Sequence, residues 1–148
     1  TTDDFYVVYQ GMAKQTVTPA ASTNLSITDL TLSGELALAK AVQGTTLTDA
    51  TNTGNITLDF DTYQNFVLTL TGNVTLINPS TEAVGQVGSI VLIQDGTGSR
   101  TLSLGTDYES VGGSGITLST AASATDMIPY VVAASNRILL GAPQLAFS

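Results

Sequence analysis

Leu68-Thr69-Leu70-Thr71-Gly72-Asn73-Val74-Thr75-Leu76 alternates large apolar with small polar residues on both sides of a Gly-Asn pair. A period of two puts every second side chain on the same face, which is the pattern of a half-buried β-strand. Gly and Asn tolerate positive φ more readily than other residues, so Leu70 to Val74 is read as a hairpin turn.

The pattern extends in both directions. Upstream, Ile56, Leu58 and Phe60 alternate with Thr57, Asp59 and Asp61, and Phe66 continues the row. Downstream, Val74 to Ile77 ends at Asn78-Pro79. Gly88-Ser89-Ile90-Val91-Leu92-Ile93-Gln94 holds an unbroken apolar run of strand length, which predicts a central strand buried on both sides. Asp95-Gly96-Thr97-Gly98-Ser99 then turns the chain into Arg100 to Leu104, as in a β-meander. Gly112 to Gly115 is read as a flexible loop before Ile116-Thr117-Leu118, and Ala134-Ser135-Asn136 as the turn between strands at Ile128–Ala133 and Arg137–Leu140.

The first fifty residues differ in texture. Phe5-Tyr6-Val7-Val8-Tyr9 is an aromatic, β-branched strand candidate, and Thr16 to Asn24, with Pro19, reads as a linker or loop. From Leu25 to Leu47 a weaker alternation has few large side chains, too few to bury much area in one chain, so this segment points to packing between copies, with packing against the C-terminal domain of its own chain as the alternative. Leu30-Thr31-Leu32-Ser33-Gly34 echoes Leu68 to Gly72, and Gly54-Asn55-Ile56-Thr57-Leu58 echoes Gly72 to Leu76. Two occurrences at unequal offsets fall short of a solenoid repeat and are read as shared hairpin chemistry.

Composition narrows the chemistry. The 148 residues are 43% hydrophobic and only 11% charged, with 12 acidic against 4 basic residues and a net charge of -8. Nucleic acid and anionic membranes are poor partners for a chain without a cluster of Lys and Arg. His and Cys are absent, which removes the usual general base, thiolate catalysis, disulfides and zinc-thiolate sites. No apolar run reaches the ~18 to 20 residues of a membrane-spanning helix. Thr1-Thr2-Asp3-Asp4 lacks the positive start of a secretory signal, so the chain is expected to be soluble and unanchored.

What remains for catalysis is thin. Gly-x-Ser-x-Gly does not occur. Asp59 and Asp61 would share a strand face, as a carboxylate pair or as the polar side of a buried strand. Asp95-Gly96-Thr97-Gly98 reads as a tight turn, with calcium binding by Asp95 and Asp107 or Glu109 as the alternative. Asn24, Asn55 and Asn73 begin Asn-x-Ser/Thr sequons, which a Thr-rich chain produces by composition. Tyr63 and Tyr108 are read as buried core or surface anchors, with stacking on a sugar from loops as the alternative. The tail ends apolar, with Leu145 and Phe147 on one face if extended, as a contact for another subunit or for a shell protein or else as packing within the chain.

Residues 54–148 resemble bacteriophage virion structural proteins, in particular those of marine and cyanobacterial phages. The resemblance is carried by Leu58-Asp59-Phe60-Asp61-Thr62-Tyr63-Gln64-Asn65-Phe66, Ile93-Gln94-Asp95-Gly96-Thr97-Gly98, Ala121-Ala122-Ser123-Ala124-Thr125-Asp126 and the closing run Arg137 to Phe147. It covers about two thirds of the chain. Related modules are found in tail fibres, head fibres and capsid decoration, and no catalytic residues come with them.

The expected fold class is all-β: an antiparallel β-sandwich or barrel-like domain over residues 51–148, with an extended N-terminal docking and oligomerisation arm over residues 1–50. The expected function is that of a capsid decoration, or cement, protein on the outer capsid surface of the virion; the alternative is a head- or tail-fibre domain that binds a glycan receptor. No enzyme activity, cofactor or metal is expected. The expected partners are the major capsid protein or another virion protein, in a homotrimer, with no nucleic acid and no membrane. Phe5, Tyr6, Val7, Val8, Tyr9, Leu145 and Phe147 are the expected interface residues, the first five adding a strand to a neighbour.

Overall fold

A computed structural model describes residues 41–147. The aromatic segment Phe5, Tyr6, Val7, Val8 and Tyr9, the linker around Pro19 and the alternation from Leu25 to Leu38 lie outside the described residues. Eight strands follow one another: β1 (Thr46–Ile56), β2 (Asn65–Leu76), β3 (Val87–Gln94), β4 (Leu102–Leu104), β5 (Tyr108–Glu109), β6 (Thr125–Ala134), β7 (Arg137–Leu140) and β8 (Gln144–Phe147). Among the described residues there is no α-helix, only a single 3-10 turn at Val111–Gly113. The expectation of an all-β, barrel-like fold is met.

The strands form one sheet in the order β1-β2-β3-β6-β7-β5, with β4 also on β2 and β8 also on β6. The sheet is mixed and curls into half a barrel. This corrects the purely antiparallel reading. β1 pairs with β2, β2 with β3 and β4, and β5 with β7 in parallel, whereas β6 is antiparallel to β3, β7 and β8. Alternation specifies which face of a strand is buried and is silent on the direction of its neighbours.

Alternation does predict the core well. Phe66, Leu68, Leu70, Val74 and Leu76 of β2 meet Ile90 and Leu92 of β3, Ile128, Tyr130 and Val132 of β6, and Ile138 and Leu140 of β7, all buried in one cluster. Each side chain of this size stabilises by about 1.5–3 kcal/mol when fully buried. The connection from β1 to β2 returns along the inner side of the sheet, and Leu58 and Phe60 within it are buried. Phe60 packs edge-on against Phe66 and Tyr130, with ring centroids at 5.1 and 5.2 Å, a favoured aromatic geometry.

The expected hairpin at Gly72-Asn73 does not form, because β2 runs straight through it. Gly72 is needed there for space: a Cβ would strike the Thr53 side chain of β1. β1 is irregular at this level, with register shifts between Asp49 and Asn52 and between Asn52 and Gly54. The buried Asn52 stitches the irregularity, donating from Nδ2 to the carbonyls of Asp49 and Thr69 at 3.0 and 3.2 Å. The echo between Gly54–Leu58 and Gly72–Leu76 therefore marks two parallel neighbours, in which Asn55 faces Thr75 and Ile56 faces Leu76.

The meander is also corrected. β3 and β4 lie on the same edge of β2 and run the same way, so they are two parts of one interrupted strand. Leu70 faces Gln94 and Val74 faces Leu102, so four steps along β2 match eight along its neighbour. The excess is looped out at residues 95–101. The Gln94 side chain closes the loop's base, accepting from the Arg100 amide at 2.8 Å and donating to the Arg100 carbonyl at 3.0 Å. Ile116 to Leu118 are not a strand, although Leu118 is buried. The Ala134-Ser135-Asn136 turn forms as expected, with Asn136 at a φ of 57°.

Candidate functional site

The acidic residues singled out for chemistry are used in turns. Asp59 and Asp61 lie in the connection after β1, outside any strand, so they do not share a strand face. Asp59 Oδ1 accepts from the amides of Asp61 and Thr62 at 3.1 and 3.3 Å. Hydrogen bonding led by Thr62 holds the carboxyl below its usual range. Asp95 Oδ1 accepts from the amides of Thr97 and Gly98 at 3.0 and 2.9 Å, and Arg100 reaches Oδ2 at 2.7 Å. The Arg100 hydrogen bond, with those amides, lowers the Asp95 pKa to about 2. Among the described residues no three His, Cys, Asp or Glu side chains are grouped to hold a metal ion.

Tyr63 and Tyr108 are covered by the fold, as the core reading of these residues has it, and neither is a free platform for a sugar. Tyr108 sits in β5 at 5% exposure, within the core, and burial pushes its hydroxyl well above the ordinary phenol range. Tyr63 is half-buried, with its ring 6.4 Å from that of Phe66. Strand spacing and aromatic type, read without pairing partners, do not reveal which tyrosines the sheet covers.

The apolar tail pairs with β6 of its own chain and keeps its two large side chains partly exposed. Leu145 and Phe147 in β8 are 49% and 48% exposed. Ala146 between them has a φ of +59°, so the segment departs from a plain extended strand. β8 is anchored by a residue that sequence reasoning did not assign a role. The buried carboxylate of Asp126 accepts from the Ala146 amide at 2.9 Å and from the Ser119 amide and hydroxyl, each at 2.7 Å. An acidic residue inside the apolar alternation of β6 was the available signal, since such a group is kept inside only when fully hydrogen-bonded. Beside this anchor Ala121, Ala122, Ala124 and Phe147 line a small apolar hollow of about 360 Å³.

A wider, shallow depression of about 570 Å³ opens between β4, β5 and the following loop, lined by Ser103, Leu104, Glu109, Ser110, Gly113 and Gly115 among others. The loop beside it is well defined. The Gly113 amide donates to the Ser110 carbonyl at 3.0 Å, and the Gly115 amide to Ser110 Oγ at 2.8 Å. Gly112, Gly113 and Gly115 all have positive φ, and Val111 stands out at 73% exposure. Glu109 on the rim is bound by Arg137 at 2.8 Å, which lowers its pKa.

The described residues form one curled sheet whose loops are closed by side-chain hydrogen bonds and whose β8 end leaves apolar side chains exposed. Residues 41–134 match the family model described as "Putative phage tail fibre C-terminal domain". The chain belongs to that family. No curated protein and no solved structure matches it. The tail fibre domain begins in the match at the first described residue and runs to the last residue of β6. It is a structural protein of a bacteriophage virion, as the resemblance in Leu58 to Phe66 and Ile93 to Gly98 implied. Membership favours the fibre reading over the capsid-decoration reading.

Proposed function

We propose that this chain is the part of a phage fibre that meets the host surface, and that it works by binding, without turning over a substrate. The observation that carries this reading is the match of residues 41–134 to a tail fibre domain. The geometry supports it. The carboxylates of Asp59 and Asp95, two of the acids the sequence offered for chemistry, are engaged by turn amides and Arg100.

The contact surface is the shallow depression beside the Val111–Gly113 turn. Recognition residues sit best on loops held by a stiff scaffold, and this loop is fixed to Ser110 at two amides and set on the β5–β7 pairing. Ser103, Ser110 and the Glu109–Arg137 pair offer donors and acceptors beside exposed Val111, a mixture that suits a polar, uncharged surface such as a glycan. Several copies on one fibre then multiply a weak contact by avidity.

The test is adsorption. The purified chain should compete with phage for host cells, and gold-labelled antibody against it should decorate fibres. Label over the capsid faces, with binding of the purified chain to capsids and no competition at the cell, would return the assignment to a decoration protein.

A further inference from the structure

Asp95-Gly96 is the single step in the 148 residues at which an Asp or Asn is followed by Gly. That dipeptide has a chemistry of its own. The backbone nitrogen of the second residue can attack the side-chain carboxyl carbon of the first, and glycine, with no Cβ, obstructs the approach least. Among the described residues, no atom outside the adjacent residues lies within 4 Å of where a Gly96 Cβ would be, so this step is open on that side.

The folded loop holds the same carboxyl against the reaction. Asp95 Oδ1 accepts from the amides of Thr97 and Gly98 at 3.0 and 2.9 Å. Oδ2 accepts from Arg100 Nε and Nη2 at 3.2 and 2.7 Å. Loss of water from the carboxyl requires one of these oxygens to be protonated and leave, and both carry donors that favour the ionised form. The carboxyl is accordingly held at a pKa of about 2, with the Arg100 hydrogen bond as the leading cause. Any turn of the carboxyl toward the Gly96 nitrogen also works against all four bonds.

We propose that Asp95-Gly96 is a latent site of backbone isomerisation, and that Arg100 with the Thr97 and Gly98 amides keeps it closed while the chain is folded. In the reaction the Gly96 nitrogen gives up its proton and bonds to Asp95 Cγ, while the carboxyl hydroxyl takes that proton and leaves as water. The five-membered succinimide then takes up water. Opening at the Cγ carbonyl restores aspartate; opening at the main-chain carbonyl leaves isoaspartate, in which the chain runs through Cβ and Cγ. The product falls where the sheet depends on length. Gln94 and Arg100 are bonded at 2.8 and 3.0 Å across the base of this loop, between the two stretches that β3 and β4 pair on β2. Isoaspartate lengthens the main chain inside that clamp by one carbon and moves the carboxylate off its donors.

The proposal is independent of where the chain sits on the virion and of what it binds. Its test follows isoaspartate in the full chain kept for weeks at neutral pH. An endoprotease that cuts before aspartate and not before isoaspartate reads the site, because its cut at residue 95 disappears as the product forms. Unfolded in guanidinium chloride, the native sequence should gain isoaspartate at residue 95 at least about tenfold faster than when folded, and Gly96→Ala should remove most of that gain. Folded Arg100→Gln should isomerise at least about tenfold faster than the folded native chain, with an unchanged far-UV strand spectrum. Equal rates in the folded and unfolded native chain, isoaspartate appearing first at another aspartate of the unfolded chain, or a folded Arg100→Gln that ages no faster than the native chain would each overturn the proposal. If Arg100→Gln does not fold, the comparison of folded and unfolded native chains decides alone.

Discussion

The Tyr130 hydroxyl donates a 2.7 Å hydrogen bond to the Gln64 carbonyl, joining the middle of β6 to the residue just before β2. The same ring packs edge-on against Phe60, so one side chain fastens the first crossover connection to the far side of the sheet. Tyr130→Phe keeps the ring and leaves the Gln64 carbonyl without this donor. The expected loss is about 1–2 kcal/mol in chemical denaturation, with an unchanged slope.

Gly88 lies under that contact. A Cβ there would strike the Gln64 carbonyl and the Tyr130 hydroxyl, neither of which can move without breaking their bond. Gly88→Ala should cost about 2–3 kcal/mol, more than Tyr130→Phe, and combining the two should cost less than their sum. Denaturation of the two single variants and the double variant measures the coupling.

Asp126 offers a carboxylate to three donors at once, two from Ser119 and one from Ala146. Asp126→Asn replaces one acceptor oxygen with an amide that faces donors. The expected cost is about 2–4 kcal/mol. Its signature is local: amide exchange at Ala146 should accelerate before the exchange of β2 and β3 does.

The Arg100 hydrogen bond holds the Asp95 carboxyl at a pKa of about 2 in the folded chain, below the ordinary carboxylate range. A depressed folded pKa gives stability that is fully present above the unfolded value and disappears as pH falls through the folded one. The native chain should therefore lose stability between about pH 4 and pH 2. Asp59 and Glu109, also lowered, act in the same direction. Asp95→Asn should be less stable at neutral pH and show a flatter profile across this window, with the Thr97 and Gly98 amides exchanging faster at all pH values.

Much of the core was legible in the sequence because alternation carries it: Phe66, Leu68 and Leu70 are buried as their spacing requires, and the β6–β7 hairpin turns where Ala134-Ser135-Asn136 indicated. Pairing was not legible. Gly72-Asn73 has the chemistry of a turn, yet Gly72 serves the close approach of Thr53 from the next strand, a contact set by a residue nineteen positions away. Residues 95–101 have turn chemistry as well and do turn, but the chain resumes on the same edge of β2, since Gln94 ties itself to Arg100. The candidate site was less legible still. The sequence leaves Tyr108 open to a core or a stacking role until β5 pairs with β7 and buries it, and Asp126 looks like an interruption until Ser119 and Ala146 are brought to it.

The clamp between Gln94 and Arg100 separates the length of the 95–101 loop from the alignment of the strands on either side. At its tip Gly96 has open space around it, so residues spliced in beside it would lengthen the excursion while β3 and β4 kept their places on β2. A strand that tolerates an internal insert can vary in length there without refolding the sheet. The same spot is where a foreign epitope could be displayed.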